Sequence, residues 1–448
     1  MVRLFGTDGV RGEAGVYPLD EATVSKIGRS MAARLSERLG RPPLILTGRD
    51  TRESGPSIER AFTSGAATGG GRCRSAAVIT TPGVAFLTRS MGFDLGVVIS
   101  ASHNPYYDNG IKAFLPSGQK LDEEMERQIE ADISDNDLCD EVSAGSTIDE
   151  SDQGEMRAAY LEHLLEQAHG LRLDGFRIAI DCANGAASNL ATLLFQDLGA
   201  EVAAFHDRPD GKNINDRCGS LFIEQFRSKV VAVNADIGIA FDGDADRALF
   251  VDERGELVDG DATLWIMAGA MQRSGELASG KVVATVMSNI GLELALETRD
   301  IEMVRTAVGD KYVLEELLRA GIELGGEQSG HIIFPHQSLV GDGMMTAIRV
   351  VRAVVETGQP LSRLTDGFRR YPQVLVNVKV ARKPPFEEVE AIRTAVSGVE
   401  ASLNGGGRLL LRYSGTENLA RVMIEGPDQS RIEDLANGLA ETIKIELN

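Results

Sequence analysis

One unit recurs along this chain and limits what it can fold into: a short apolar run, a turn of small polar residues, then a segment of helical periodicity. Residues 95–99 form such a run and stop at Ser100-Ala101-Ser102-His103-Asn104-Pro105, where the proline forbids further strand. Residues 43–48 lead into the turn 49–55, residues 176–180 into 181–187, and residues 235–241 into 242–247. Runs that are apolar throughout, rather than alternating, predict strands buried on both faces, with helices covering the sheets. In such open α/β sheets ligands bind beyond the carboxyl ends of the strands, so these turns are the places to look for chemistry.

The 448 residues, 43% hydrophobic, can bury several cores. The acidic stretch 122–153, poor in large apolar residues, places a first boundary near its end; turns near 252–260 and 361–372 place two more. The expected segments are 1–153, 154–252, 253–368 and 369–448, the last a smaller α+β unit. A net charge of −21 argues against a general nucleic-acid binder, and a phosphorylated ligand would need locally placed arginines. Cys73, Cys139, Cys182 and Cys218 lie far apart without C-x-x-C spacing, which argues against zinc and disulfide frameworks. With no basic-then-apolar leader and no apolar run of about 18 residues, the expected home is the cytoplasm, with no membrane partner.

Within the turns, particular residue types carry chemistry. At 100–105 a hydroxyl flanked by small residues and free N–H groups is open to close approach by a phosphate. Asp242-Gly243-Asp244-Ala245-Asp246-Arg247 follows an apolar strand; if its backbone is extended, the three carboxylates face one way. Together they would repel one another without a cation, and hard oxygen ligands suit Mg²⁺. An EF-hand reading fails because position six is Arg247 rather than Gly; a solvated acidic turn is the bland alternative. Glu327, Ser329 and His331 hang on a glycine-framed loop at 323–331, groups suited to sugar hydroxyls. Arg412 and Arg421 bracket Ser414-Gly415-Thr416, the ingredients of a phosphate clamp. Arg11 sits in a glycine-rich N-terminal loop, and an Asn109-Gly110 hairpin turn is expected to hold Lys112 near the serines.

Four stretches in this order, Ser-Ala-Ser-His-Asn-Pro, Asp-Gly-Asp-Ala-Asp-Arg, Gly-Gly-Glu-Gln-Ser-Gly-His and Arg-Tyr-Ser-Gly-Thr-Glu, make the chain resemble the α-D-phosphohexomutase family from end to end. The resemblance implies α/β architecture: three related mixed α/β-sheet domains and a smaller α+β C-terminal domain around a central active-site cleft. It implies that Ser102 carries the transferred phosphoryl group, and that Asp242, Asp244 and Asp246 hold Mg²⁺ with a phosphoserine oxygen. Catalytic or phosphoryl-contacting roles would fall to Arg11, Lys112, Arg247 and His331, with Lys112 or His331 moving the proton. Sugar contacts would fall to Glu327 and Ser329, and phosphate contacts to Arg412, Ser414, Gly415, Thr416 and Arg421. A sugar 1,6-bisphosphate would prime the serine, and a homodimer is favoured. The stretches 5–12, 308–312 and 326–333 look most like the family's amino-sugar branch, which interconverts glucosamine 6-phosphate and glucosamine 1-phosphate; a phosphomannomutase/phosphoglucomutase is the alternative. Outside the family, a Mg²⁺-dependent sugar phosphatase and a non-catalytic phosphosugar-binding protein are the rivals.

Overall fold

The computed structural model describes residues 4–6, 8–134, 148–414 and 417–448, so Cys139, Gly415 and Thr416 lie outside the described residues. Two compact units emerge, one from residues 1–287 and 303–366, the other from residues 288–302 and 367–448.

The larger unit holds three sheets. The first contains Val10–Glu13 (β1), Leu44–Arg49 (β2), Arg72–Val78 (β3), Leu95–Ile99 (β4) and Asp108–Phe114 (β5), in the order β3-β2-β4-β5-β1. Strands β3, β2 and β4 are parallel, and β5 returns antiparallel to β4. The second contains Arg177–Asp181 (β6), Glu201–Phe205 (β7), Ile237–Phe241 (β8), Ala248–Asp252 (β9) and Leu257–Val258 (β10), in the order β7-β6-β8-β9-β10. Again the first three are parallel and β9 returns antiparallel to β8. The third contains Lys281–Thr285 (β11), Glu302–Thr306 (β12), Gly325–Gly326 (β13) and Ile332–Ile333 (β14), in the order β12-β11-β13-β14, with β13 parallel to β11 and β14 antiparallel to β13. The three sheets therefore repeat one topology. Ser102 on β4–β5, the aspartates on β8–β9 and Glu327–His331 on β13–β14 all occupy the same connection, from the last parallel strand to its antiparallel return.

Every residue of β4 and β8 is buried, as their unbroken apolar character predicts for central strands covered on both faces. Helix Thr81–Ser90 is capped by Thr80, whose hydroxyl accepts from Gly83 N, with Pro82 in its first turn. Two expectations need correction. Asn109-Gly110 is not a hairpin turn but the start of β5: the chain has already reversed through 100–107, and Asn109 is buried with its amide donating to Ser54 Oγ at 2.9 Å. Glycine is needed at 110 for close approach, since a Cβ there would lie 2.6 Å from the Ser100 carbonyl oxygen. The acidic stretch also begins with a helix, Glu123–Ser134, whose Met125 and Ile129 pack on the first core.

Asp342 caps helix Gly343–Thr357 by accepting from Met345 N at 3.0 Å, and Tyr160 Oη donates to it at 2.8 Å. Burial pushes its carboxyl up to about 6 against the hydrogen bonds it accepts. A raised pKa means the fold prefers the protonated form, so this group's contribution is complete below pH ~4 and is lost as pH rises through about 6. Asp342→Asn retains the cap and removes the titration. Its stability relative to wild type should therefore climb between pH 4 and pH 7, by about 2–3 kcal/mol. Denaturant unfolding at several pH values reads this out, and a difference flat across the range refutes it.

The smaller unit pairs Gln373–Lys379 (β15), Arg408–Tyr413 (β16) and Leu419–Glu425 (β17) in the order β15-β17-β16, antiparallel throughout. Helices Glu390–Leu403 and Gln429–Leu447 supply its apolar core through Ile392, Val399, Leu439 and Ile443.

Candidate active site

Ser102 adopts φ +51°, a left-handed conformation that costs a non-glycine residue free energy and persists only when its surroundings impose it. Those surroundings are explicit. Asp50 accepts from Ser100 Oγ at 2.5 Å, and Ser100 Oγ accepts from Ser102 N at 2.9 Å. Asn215 Nδ2 and Arg52 Nη2 hold the Ser102 carbonyl at 2.9 and 3.2 Å. The Ser100 hydroxyl is thereby engaged within the turn. The Ser102 hydroxyl instead donates to Asp242 Oδ2 at 2.6 Å and stands 3.2 Å from His103 Nδ1.

Asp242, Asp244 and Asp246 do converge, with a ligand atom from each within 4.8 Å of the others and all three buried. Strand alternation is not the cause. Residues 242–247 form a turn with Ala245 at φ +56°, and this curvature gathers the carboxylates. Gly243 lets the turn reach the serine loop, since a Cβ there would lie 2.5 Å from the Ser102 carbonyl oxygen. Glu253, which would be the twelfth residue of an EF-hand loop starting at Asp242, is engaged elsewhere by the Ser362 hydroxyl.

Burial first, then Asp246 and Asp244, push the Asp242 carboxyl well above the usual carboxylate range. Burial would raise Asp244 too, but Lys112 and the Thr81 hydroxyl, 2.6 Å from its Oδ2, hold it below its ordinary value. Asp244 Oδ1 and Asp246 Oδ1 are buried without a hydrogen-bond partner. Three close carboxylates with two buried, unsatisfied oxygens fit a hard divalent cation, whose coordination would satisfy them.

Lys112 Nζ lies 3.1 Å from Asp244 Oδ2, 3.4 Å from Asp246 Oδ2 and 3.2 Å from Asp8 Oδ2. Burial alone would lower its pKa; the carboxylates of Asp244, Asp8 and Asp246 outweigh that and raise it well above the ordinary lysine value. The group is an ammonium at any physiological pH and cannot accept a proton. Arg247 behaves likewise, burial being outweighed by Asp246 and Asp242. His103 goes the other way: burial, then Arg247 and Arg11, lower it to about 4, so it is neutral at pH 7.

In front of this cluster lies a cavity of about 450 Å³ lined by Arg11, Asp246, Arg247, Glu327 and His331 together with His103, Asp8 and Asp310. Arg11 pairs with Asp8. Glu327 Oε1 accepts from Gly309 N at 3.1 Å, and both ring nitrogens of buried His331 lack a hydrogen-bond partner. Ser329 does not line the cavity, and its buried hydroxyl has no hydrogen-bond partner. The structure thus gathers residues from three sheets that are far apart in sequence. His103, Asp8, Thr81, Asn215 and the Asp50–Arg52 pair are contributors that residue-type reasoning did not single out; all but Asp8 lie on or beside loops that follow strands, and that position was the available signal.

Arg412, Ser414 and Arg421 belong to the other unit. Arg412 and Arg421 stand directly opposite on β16 and β17, a cross-strand pair of like charges, with Arg421 Nη2 3.6 Å from Glu417 Oε2. Arg421 Nε is buried without a hydrogen-bond partner, and Ser414 Oγ accepts from Glu417 N at 3.3 Å.

A second group, Asp181, His206 and Cys218, also brings ligand atoms within 4.8 Å. Lys229 Nζ lies 3.1 Å from His206 Nε2, and His206 Nδ1 lies 2.9 Å from Asp181 Oδ2.

Family models of phosphoglucomutase/phosphomannomutase match the chain in series: alpha/beta/alpha domain I over residues 2–139, domain II over 158–255, domain III over 259–371 and the C-terminal domain over 375–442. The phosphoglucosamine mutase of Solibacter usitatus is 48% identical over 99% of this chain and 99% of its own length. That of Symbiobacterium thermophilum is 47% identical over 100% of both. Among solved structures, a phosphoglucomutase/phosphomannomutase family protein from Burkholderia thailandensis shares the fold with a TM-score of 0.79 at 23% identity, covering 100% of this chain and 98% of its own. The N-acetylphosphoglucosamine mutase of Aspergillus fumigatus, solved with GlcNAc-6P and magnesium, shares it at 0.67 and 20% identity, covering 99% and 96%. With all four family domains matched in order, the chain belongs to the α-D-phosphohexomutase family of phosphosugar mutases.

Proposed function

We propose that this chain interconverts glucosamine 6-phosphate and glucosamine 1-phosphate through a phosphoserine at Ser102 and a bisphosphorylated sugar, with Mg²⁺ and a sugar 1,6-bisphosphate as activator. The observation that carries this reading is the Ser102 hydroxyl, strained into place 2.6 Å from Asp242 in a buried carboxylate triad. Two phosphoglucosamine mutases at 47% and 48% identity over essentially the whole chain support the amino sugar.

In the forward half-reaction the bond between phosphorus and Ser102 Oγ breaks as one forms to the sugar hydroxyl. His331, with both nitrogens unengaged at the cavity wall, takes the hydroxyl proton, because Lys112 is already charged. Arg247 and Lys112 neutralise charge on the moving group, and Arg11 orients it. A Mg²⁺ held by Asp242, Asp244 and Asp246 would supply further charge neutralisation at the phosphoryl oxygens. As it leaves, Ser102 Oγ takes up a proton from water. After the intermediate reorients, the bond from its other phosphoryl group to the sugar oxygen breaks as one forms to Ser102 Oγ. The Ser102 proton passes to neutral His103, which releases it to water, and His331 returns its proton to the sugar oxygen. Glu327 binds the sugar, with Ser329 behind it on the same loop; Arg412, Ser414 and Arg421, with Gly415 and Thr416, bind its phosphate. On this reading segments 1–153, 154–252, 253–368 and 369–448 supply phosphoserine, metal, sugar and phosphate binding respectively. We place the reaction in the cytoplasm, as a homodimer; Cys73, Cys182 and Cys218 are free thiols and no described helix is long and apolar enough to cross a membrane.

The test is kcat/KM for glucosamine, glucose and mannose phosphates with Mg²⁺ and the matching bisphosphate. Glucosamine phosphate should lead by on the order of 10²-fold, as a site that hydrogen-bonds its substrate's polar group discriminates strongly. A higher value for glucose or mannose phosphate makes the chain a phosphoglucomutase/phosphomannomutase. Stoichiometric release of inorganic phosphate makes it a phosphatase, and sugar-phosphate binding without turnover makes it a binding protein.

A further inference from the structure

Beyond Lys112 the pattern of charges continues. Asp8 Oδ1 accepts from Lys120 Nζ at 2.7 Å, and the same ammonium donates to both oxygens of Asp310 at 3.0 and 2.7 Å. Asp310 Oδ2 in turn lies 3.9 Å from His331 Nε2. Signs alternate from Asp244 through Lys112, Asp8 and Lys120 to Asp310, which lies beside His331, so the row links the carboxylate triad to the sugar loop.

This row crosses a seam within the larger unit. Asp8, Lys112 and Lys120 accompany the first sheet; Asp310, the first residue of helix Asp310–Ala320, and His331 accompany the third. Next to it Lys311 Nζ donates to Glu123 Oε1 at 2.7 Å, bridging the same two parts. The Lys120 and Asp310 side chains are only 22% and 21% exposed, so water screens the bridge poorly. Asp8 and Asp310 line the 450 Å³ cavity, whereas Lys120 does not. Without the ammonium, two ionised carboxylates would face each other across the seam and push it apart.

We propose that Lys120 is a positioning residue: its ammonium, clasped between Asp8 and Asp310, fixes the spacing between the loop bearing Arg11 and the wall bearing His331, and so sets the cleft for phosphoryl transfer. The proposal rests on the mutase reading above. Lys120 acts through the two carboxylates and touches neither sugar nor phosphate.

The test measures kcat and KM for glucosamine 6-phosphate in the full chain carrying Lys120→Met, Lys120→Arg, Asp310→Asn and the Lys120→Met/Asp310→Asn pair, with thermal unfolding of each. Lys120→Met should lower kcat/KM by about 30-fold and Asp310→Asn by about tenfold, while the pair is no worse than Lys120→Met alone, because both remove one interaction. Lys120→Arg should return to within about threefold of wild type, since a guanidinium also bridges two carboxylates. Losses that multiply in the pair, an arginine variant as poor as the methionine one, or a folded Lys120→Met variant at wild-type kcat/KM would each overturn the proposal. If Lys120→Met does not fold, Asp310→Asn decides: wild-type kcat/KM in it overturns the proposal, a loss with KM raised supports it. Wild-type protein inactive on glucosamine phosphates but active on glucose or mannose phosphates defeats the substrate assignment alone, and the variants are then scored on that sugar. Inactivity on all three defeats both.

Discussion

Ser102→Ala is expected to cut phosphosugar interconversion by on the order of 10⁴-fold or more, the scale of removing a nucleophile that no neighbour can replace. The adjacent hydroxyl offers no substitute: Ser100 Oγ donates to Asp50 and accepts from Ser102 N, so moving it would release the loop it braces. Alanine carries the same strain as serine at φ +51° and loses the two hydroxyl contacts, to Asp242 and to His103, so the variant should fold with an unfolding midpoint only modestly below wild type. Intact-mass analysis should show one phosphoryl group on wild-type protein and none on the variant. Retained isomerisation in a folded Ser102→Ala protein would sink the phosphoserine mechanism.

Asp242→Asn should move activity and stability in opposite directions. Asparagine preserves the shape of the side chain: its oxygen can accept from Arg247 N, as Asp242 Oδ1 does at 3.2 Å, while its amide can donate to the Ser102 oxygen, whose hydroxyl now donates to Oδ2 at 2.6 Å. It removes one of three buried carboxylates, the one that burial and its neighbours already push well above the usual range. Mg²⁺ affinity, followed by calorimetry, should fall at least tenfold, and kcat by on the order of 10²–10³-fold, because charge on the moving phosphoryl group is less well neutralised. In metal-free buffer the variant should nevertheless be more stable than wild type, by on the order of 1 kcal/mol, since like-charge repulsion is relieved. A variant that binds Mg²⁺ as tightly as wild type would show that the triad is not the metal site.

The element pattern is readable where a central strand is an unbroken apolar run ended by a small polar turn, as at 95–99 and 237–241. The run at 95–99 coincides with strand Leu95–Ile99 residue for residue. Errors fell where context overrides local chemistry. Asn109-Gly110 carries a strong hairpin signal, yet it is buried in a strand because β5 must pass close beneath the Ser100 carbonyl. The aspartates were read correctly as a convergent set for an incorrect reason: alternation along a strand would also have gathered them, and nothing local predicts that Ala245 enters the left-handed region.

The sequence by itself determined the chemistry on offer: a reachable serine hydroxyl, three closely spaced carboxylates, a glycine-framed Glu–Ser–His loop and two arginines around a small polar turn. Residue type and local spacing carry that information. Only the tertiary structure decided which groups meet and in what charge state. It set Ser102 rather than Ser100 against the triad, kept Lys112 protonated and His103 neutral, and clasped Lys120 between Asp8 and Asp310. These outcomes depend on burial and on Coulomb interactions over a few ångströms between residues as many as 190 positions apart, which no local window of sequence contains.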